Sequence, residues 1–252
     1  MSQQNRWAPK PPFTSGGVIP CNTSPWIQVT YLTDPERIKA LLPPVFEPGD
    51  RPEVYVRISD ICYPEISYRE MVGYIAVSAK YKGKTGEYPL LIPIDLESAV
   101  YISRETFGQP KVVAQLELTR NDNWVHARIA RNGATFIEIN GEITGSLAVP
   151  APYQTTQWWF KYLPAVSGKG FDAGPFLVES NDQITLQNNE NVRGTITLHD
   201  SATDPVADLP VRELVGITYS DFSCVSSRTL IGEVDPRDFE PYMHTRYFGV
   251  GE

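Results

Sequence analysis

The residues best placed to do chemistry are a lone lysine and the segment leading to it. Ser103-Arg104-Glu105-Thr106-Phe107-Gly108-Gln109-Pro110-Lys111 runs directly into Val112-Val113-Ala114-Gln115-Leu116-Glu117-Leu118. Lys111 therefore stands at the lip of a mostly apolar strand. Desolvation penalises an ammonium group in such surroundings, so it gives up its proton more easily. A neutral lysine is an amine nucleophile that can form an imine with a carbonyl carbon. A lysine of ordinary pKa is less than ~0.1% neutral at pH 7, so burial is what would make this residue reactive. The ordinary alternative is a solvated lysine at a strand end.

Other combinations of reactive residues fall short of a site. Gly83-Lys84-Thr85 has the tail of a phosphate-binding loop, but the earlier glycine of that motif is Ser78 and no helical pattern follows. The triplet reads as the turn between two strands. His126, His199 and His244 stand apart, without the paired spacing of a metal site, and no metal is expected. No Gly-x-Ser-x-Gly elbow marks a serine hydrolase. Trp158-Trp159-Phe160 reads as core or interface packing.

The elements that must position Lys111 are mostly strands. Residues 53–60, 72–81, 87–94, 111–120, 124–131 and 134–143 are rich in β-branched and aromatic side chains. Asn132-Gly133 supplies the positive φ angles of a tight hairpin turn, and Asn121-Asp122-Asn123 marks the turn before it. One short helix is well signalled after Thr33 or Asp34, with Pro35 in its first turn and Glu36 completing a capping box with Thr33. Asp235-Pro236 opens a second short helix reaching Tyr242. Residues 1–20 read as an extended arm, and 164–183 as a long loop that could serve as a lid or an interface. Many consecutive antiparallel strands with few helices predict a mainly β chain folded as a barrel or sandwich. No internal repeat or domain boundary is visible, so residues 1–252 are expected to form one domain.

Composition excludes several function classes. At 252 residues the chain can bury a sizeable core. A formal charge of −8 without a lysine or arginine cluster argues against nucleic-acid binding. No apolar run approaches the ~18 residues of a membrane span. The N-terminal residues lack a charged-then-apolar export pattern, which predicts a cytoplasmic protein. Cys21, Cys62 and Cys224 are widely separated in sequence and read as reduced thiols. The sequon Asn22-Thr23-Ser24 is then idle.

An Arg-Glu pair, a short spacer with an aromatic and a glycine, and then Pro-Lys resembles the active-site signature of the acetoacetate decarboxylase family. Thr33-Asp34-Pro35 leading to Ala40-Leu41-Leu42-Pro43 is similar to that family's first helix. Tyr68-Arg69-Glu70 is similar to the segment carrying its functional glutamate. His199-Asp200 followed by Asp208-Leu209-Pro210-Val211-Arg212-Glu213-Leu214 is similar to its closing block. Together the resemblance covers residues 24–240. These decarboxylases are themselves the usual example of an activated lysine, so rule and resemblance are not independent here.

The resemblance implies a β-barrel or cone-like sheet, a keto-acid substrate, no cofactor, and a symmetric homo-oligomer of at least two copies. It implies that Lys111 is the nucleophile and that Glu70 moves a proton or orients the substrate. Arg104 and Glu105 would hold the lysine loop, with Gln109 in support. Trp26, Tyr68 and Arg57 are the substrate-binding candidates. Two positions depart from the family pattern. A second lysine would follow the nucleophile, and Val112 stands there. An arginine would precede the first helix, and Ser24-Pro25-Trp26 stands there. The extended geometry of a strand sends residue 112 to the face opposite residue 111, so Val112 should leave the Lys111 chemistry intact. The same imine would also serve a relative that joins a pyruvate enamine to an aldehyde and dehydrates the product. A non-catalytic binding protein on the same fold is the third alternative.

Overall fold

The structure of the protein, a computed structural model, describes residues 18–63 and 68–243. It is mainly β. The strands are β1 (Val18–Leu32), β2 (Glu47–Pro48), β3 (Glu53–Tyr63), β4 (Tyr68–Tyr81), β5 (Lys84–Ile94), β6 (Lys111–Val113) and β7 (Gln115–Asn121). They continue as β8 (Trp124–Arg131), β9 (Ala134–Ser146), β10 (Tyr153–Pro164), β11 (Phe171–Leu186), β12 (Glu190–Leu198) and β13 (Glu213–Glu233). Three short helices accompany them: α1 (Pro35–Leu41), α2 (Glu97–Phe107) and α3 (Pro236–Phe239).

Seven strands close into a ring in the order β1-β3-β4-β5-β10-β11-β13, with β13 pairing back onto β1. From β13 the sheet continues outward through β12, β9, β8 and β7. The pairings are antiparallel except for β5 with β10 and β5 with β6. A parallel pair needs a crossover rather than a hairpin, and α2 supplies it between β5 and β6.

Period-two alternation sorts the side chains of the ring onto two faces. Ile27, Val29, Val54, Val56, Ile58, Ile75 and Val77 enter the main core, with Trp158 and Phe160. Arg57 on β3 and Tyr74 on β4, alternating with them, face the inside of the ring. The hairpins form as the sequence predicts: Lys82 (φ 49°) and Gly83 (φ 79°) turn β4 into β5, and Asn132 (φ 52°) and Gly133 (φ 82°) turn β8 into β9.

Several expectations are corrected. The stretch 164–183 is no long loop: only 165–170 connects β10 to β11, around Gly168 and Gly170. Within that stretch Phe176, Leu177 and Val178 pair with β10 on one side and β13 on the other. Residues 18–20 of the supposed arm already belong to β1, and residues 1–17 lie outside the described residues. The strand expected at 111–120 is two strands separated at Ala114. Thr33 does not cap α1; Asp34 occupies the cap position, and its carboxylate is taken by Arg212 in two 2.9 Å hydrogen bonds instead of closing a capping box. That contact joins the first-helix segment to the closing block, and Arg37 Nη1 adds a 2.7 Å bond to the Asp208 carbonyl.

Candidate active site

Lys111 is aimed by a short βαβ unit. α2 ends at Gly108 (φ 79°, ψ 11°), whose N–H donates to the Arg104 carbonyl at 2.9 Å. Only glycine adopts this left-handed conformation freely. The space is also closed, because a Cβ at Gly108 would lie 2.5 Å from the Lys161 Cα. β10 clamps the same turn: Trp159 Nε1 donates to the Phe107 carbonyl at 2.7 Å and Lys161 Nζ to the Thr106 carbonyl at 2.9 Å. The chain then pairs with β5, Ile92 N–H bonding the Pro110 carbonyl at 2.9 Å and Ile92 lying in register with Lys111. Lys111 faces the inside of the ring, while Val112 is buried in the main core on the opposite face.

Lys111 opens into a cavity of about 130 Å³ inside the ring. All seven ring strands contribute to its wall, including Glu70, Val72 and Tyr74 of β4 at alternate positions. Lys111 is 7% exposed and Glu70 4%. Their Nζ and Oε1 atoms are 3.7 Å apart, an ion-pair distance too long for a direct hydrogen bond. Burial pushes the pKa of the Lys111 amine below its ordinary value; Glu70 opposes that shift and the Arg228 guanidinium adds to it. Six buried side-chain atoms lack a hydrogen bond among the described residues. All but Thr33 Oγ1 belong to this wall: Trp26 Nε1, Glu70 Oε2, Tyr74 Oη, and Nε and Nη1 of Arg228. Buried polar groups are ordinarily paired, so this concentration singles out the Lys111 cavity as the candidate site.

Lys111, Glu70, Gln109, Trp26 and Arg57 therefore meet in one cavity. Arg57 is buried in the wall and paired there. It grips Glu87 through Nη1 and Nη2 at 2.8 and 2.6 Å, and its Nε donates to Gln28 Oε1 at 2.7 Å. Its guanidinium also sits over the rings of Trp26, Tyr55 and Tyr74. Such a residue is a buried brace with its donors already engaged. Arg104 and Glu105 lie on α2 away from the cavity lining, and Glu105 is exposed; the lysine loop is held by the Arg104 carbonyl and by β10. Tyr68 opens β4, but its side chain lies outside the described residues. Arg69 pairs with Asp60 at the surface. Trp158 and Trp159 are buried and do not line the Lys111 cavity.

Sequence reading passed over Arg228, Asp182 and Gln157, which line the same wall. Gln157 Nε2 donates to Asp182 Oδ2 at 2.9 Å. Cys224 lines it too, with its Sγ 2.9 Å from that of Cys21, so two thiols far apart in sequence are face to face. A larger, mostly apolar cavity of about 300 Å³ lies on the core side of β5, walled by Leu91, Trp159 and Phe160. It holds no lysine, and its Asp204 is already paired with Arg131. Among the described residues no group of three or more His, Cys, Asp or Glu could hold a metal, and no helix is long and apolar enough to cross a membrane. His126 is hydrogen-bonded to Asn140 at 2.9 Å, His199 lies 3.9 Å from Glu138, and His244 is outside the described residues.

Comparison with known proteins shows the family and the fold. The model of the acetoacetate decarboxylase family matches residues 6–231. A decarboxylase from Cochliobolus heterostrophus is 27% identical over 213 residues, covering 81% of this chain and 83% of its own. The crystal structure of acetoacetate decarboxylase from Legionella pneumophila superposes with a TM-score of 0.75 at 17% identity, covering 90% of this chain and 92% of its own. An enduracididine biosynthesis enzyme complexed with pyruvate superposes at 0.69 with 15% identity, covering 85% and 90%. At these identities the solved structures speak for the fold, and the family match spans nearly the whole chain. The chain belongs to the acetoacetate decarboxylase family.

Proposed function

We propose that the protein removes carbon dioxide from a short β-keto acid through an imine formed on Lys111. The observation that carries this reading is a nearly buried lysine, its pKa lowered by desolvation, facing an equally buried carboxyl across 3.7 Å. Neutral Lys111 attacks the ketone carbon, and loss of water leaves a protonated imine. The bond to the carboxylate carbon then breaks. Its electron pair moves through the α-carbon onto the iminium nitrogen, giving an enamine and releasing carbon dioxide. A proton delivered to the α-carbon regenerates the iminium, and water hydrolyses it to the ketone and free Lys111. Glu70 lies where it can pass protons between nitrogen, carbon and water. In this reading Gln109, which lines the cavity, orients the keto acid, and no cofactor is needed because the iminium is the electron sink.

Decarboxylation needs room for one keto acid beside Lys111, whereas joining a pyruvate enamine to an aromatic aldehyde requires two reactants together in the same cavity. In this reading the chain works as one domain in an assembly of at least two copies. Purified protein supplied with acetoacetate should release carbon dioxide. A new conjugated absorbance with pyruvate plus an aromatic aldehyde would favour the aldolase-dehydratase instead, and silence in both assays would favour a binding protein.

A further inference from the structure

We propose that Arg228, on β13, is the residue that receives the substrate carboxylate beside Lys111. This inference rests on the imine reading and adds the anionic anchor which that reading lacks. A keto acid brings a carboxylate in among buried side chains, and an ionised carboxylate is costly to desolvate without a cationic partner. Three cationic side chains line the wall, and two are spoken for. Arg57 is committed to Glu87 and Gln28. Lys111 must be neutral to attack. Arg228 makes no ion pair among the described residues, and its Nε and Nη1 are buried without a hydrogen bond. A buried guanidinium with unpaired donors can form charge-assisted hydrogen bonds to a carboxylate.

The placement of Arg228 is fixed by the lysine loop itself. Its guanidinium stacks 4.6 Å from the ring centroid of Phe107, the aromatic that precedes Gly108-Gln109-Pro110-Lys111. The spacer aromatic of the motif thus orients the proposed anchor while its carbonyl is held by Trp159. The family pattern would place an arginine near Ser24-Pro25-Trp26, on β1. That segment pairs directly with β13, Trp26 opposite Ser220, and Trp26 lines the cavity without a charge to offer. The neighbouring strand supplies the charge instead. Arg228 also acts on Lys111 at a distance, since its field favours the neutral amine. The other charged groups facing this space are Glu70 from β4, Asp182 from β11 and the Arg57–Glu87 pair from β3 and β5.

The test separates the carboxylate from the carbonyl. Arg228→Gln and Arg228→Lys are compared with wild type using acetoacetate, and using acetylacetone, a neutral diketone that forms an ultraviolet-absorbing enaminone with a reactive lysine. Arg228→Gln should raise KM for acetoacetate by about 10- to 150-fold, the range for losing a hydrogen bond to a charged group. Arg228→Lys should recover part of that loss. Enaminone formation on Lys111 should persist in Arg228→Gln. The acidic limb of its pH profile should lie at higher pH, because a cation that disfavours protonation is gone. An unchanged KM and acidic limb in Arg228→Gln would overturn the assignment. Equal losses with both ligands would also overturn it, by making Arg228 a general packing residue. Wild-type protein that forms no enaminone would overturn the underlying imine reading, an outcome distinct from either.

Discussion

Replacing Glu87 with glutamine decides whether Arg57 is a structural brace or a ligand-binding group. The two side chains are 12% and 10% exposed and joined by nitrogen–oxygen contacts of 2.6 and 2.8 Å. Removing one partner of a buried pair leaves the other charge desolvated and uncompensated, at a cost of about 3–5 kcal/mol. At about 2–4 °C per kcal/mol for a domain of this size, the melting midpoint should fall by roughly 6–20 °C. Thermal unfolding followed by circular dichroism reads this directly. The double variant Arg57→Met, Glu87→Met should recover much of the loss, because apolar packing can replace a buried pair. Below the melting transition, KM for acetoacetate in Glu87→Gln should stay within a few-fold of wild type. A midpoint that falls by less than about 2 °C would mean that Arg57 reaches solvent, and it would then compete with Arg228 as the anionic anchor.

Glu70→Gln should lower turnover by about 10²-fold or more while leaving imine trapping on Lys111 detectable, and pre-steady-state trapping against turnover checks the split. Its acidic limb should move to lower pH, because the carboxylate that favours the ammonium form is removed. Lys111→Met should abolish activity, and its melting midpoint relative to wild type should be most favourable near pH 7, where the desolvated amine costs wild type most. Burial holds the folded amine below its unfolded pKa, so the unfolded chain binds the extra proton and wild-type stability rises with pH through that window. The advantage of methionine should therefore shrink as pH approaches about 10, which melts at several pH values will show. Gly108→Ala forces a side chain into a left-handed turn against the Lys161 backbone, so it should cost about 1–3 kcal/mol and weaken trapping by displacing the loop.

The inward aim of Lys111 was legible because strand alternation and an apolar successor leave few choices: Val112 had to take the core face. The hairpin at Asn132-Gly133 was legible because those residues tolerate positive φ. α2 was not. Its sequence, Glu97 to Phe107, mixes β-branched and aromatic residues, buries only Ala99, Val100 and Ser103, and begins at Leu96 without a side-chain cap. Tertiary contacts hold it, including the Trp159 bond to Phe107, and those cannot be read locally. β13 was missed for a related reason. Its cavity-facing positions include Ser226 and Arg228, polar residues where a core strand would show apolar ones. Glu70 was found only through resemblance, because its meeting with Lys111 depends on how β4, β5 and β6 stack in the sheet. The Arg57–Glu87 pair was not legible, since nothing near Arg57 in sequence announces Glu87 as its partner.

The central claim is that Lys111 carries the chemistry as an imine, and borohydride reduction in the presence of acetoacetate tests it most directly. Peptide mass mapping should find a stable adduct on the peptide containing Lys111 in wild-type protein and none in Lys111→Met. An adduct that persists in Lys111→Met, or wild-type turnover without any trapped lysine, would contradict the account.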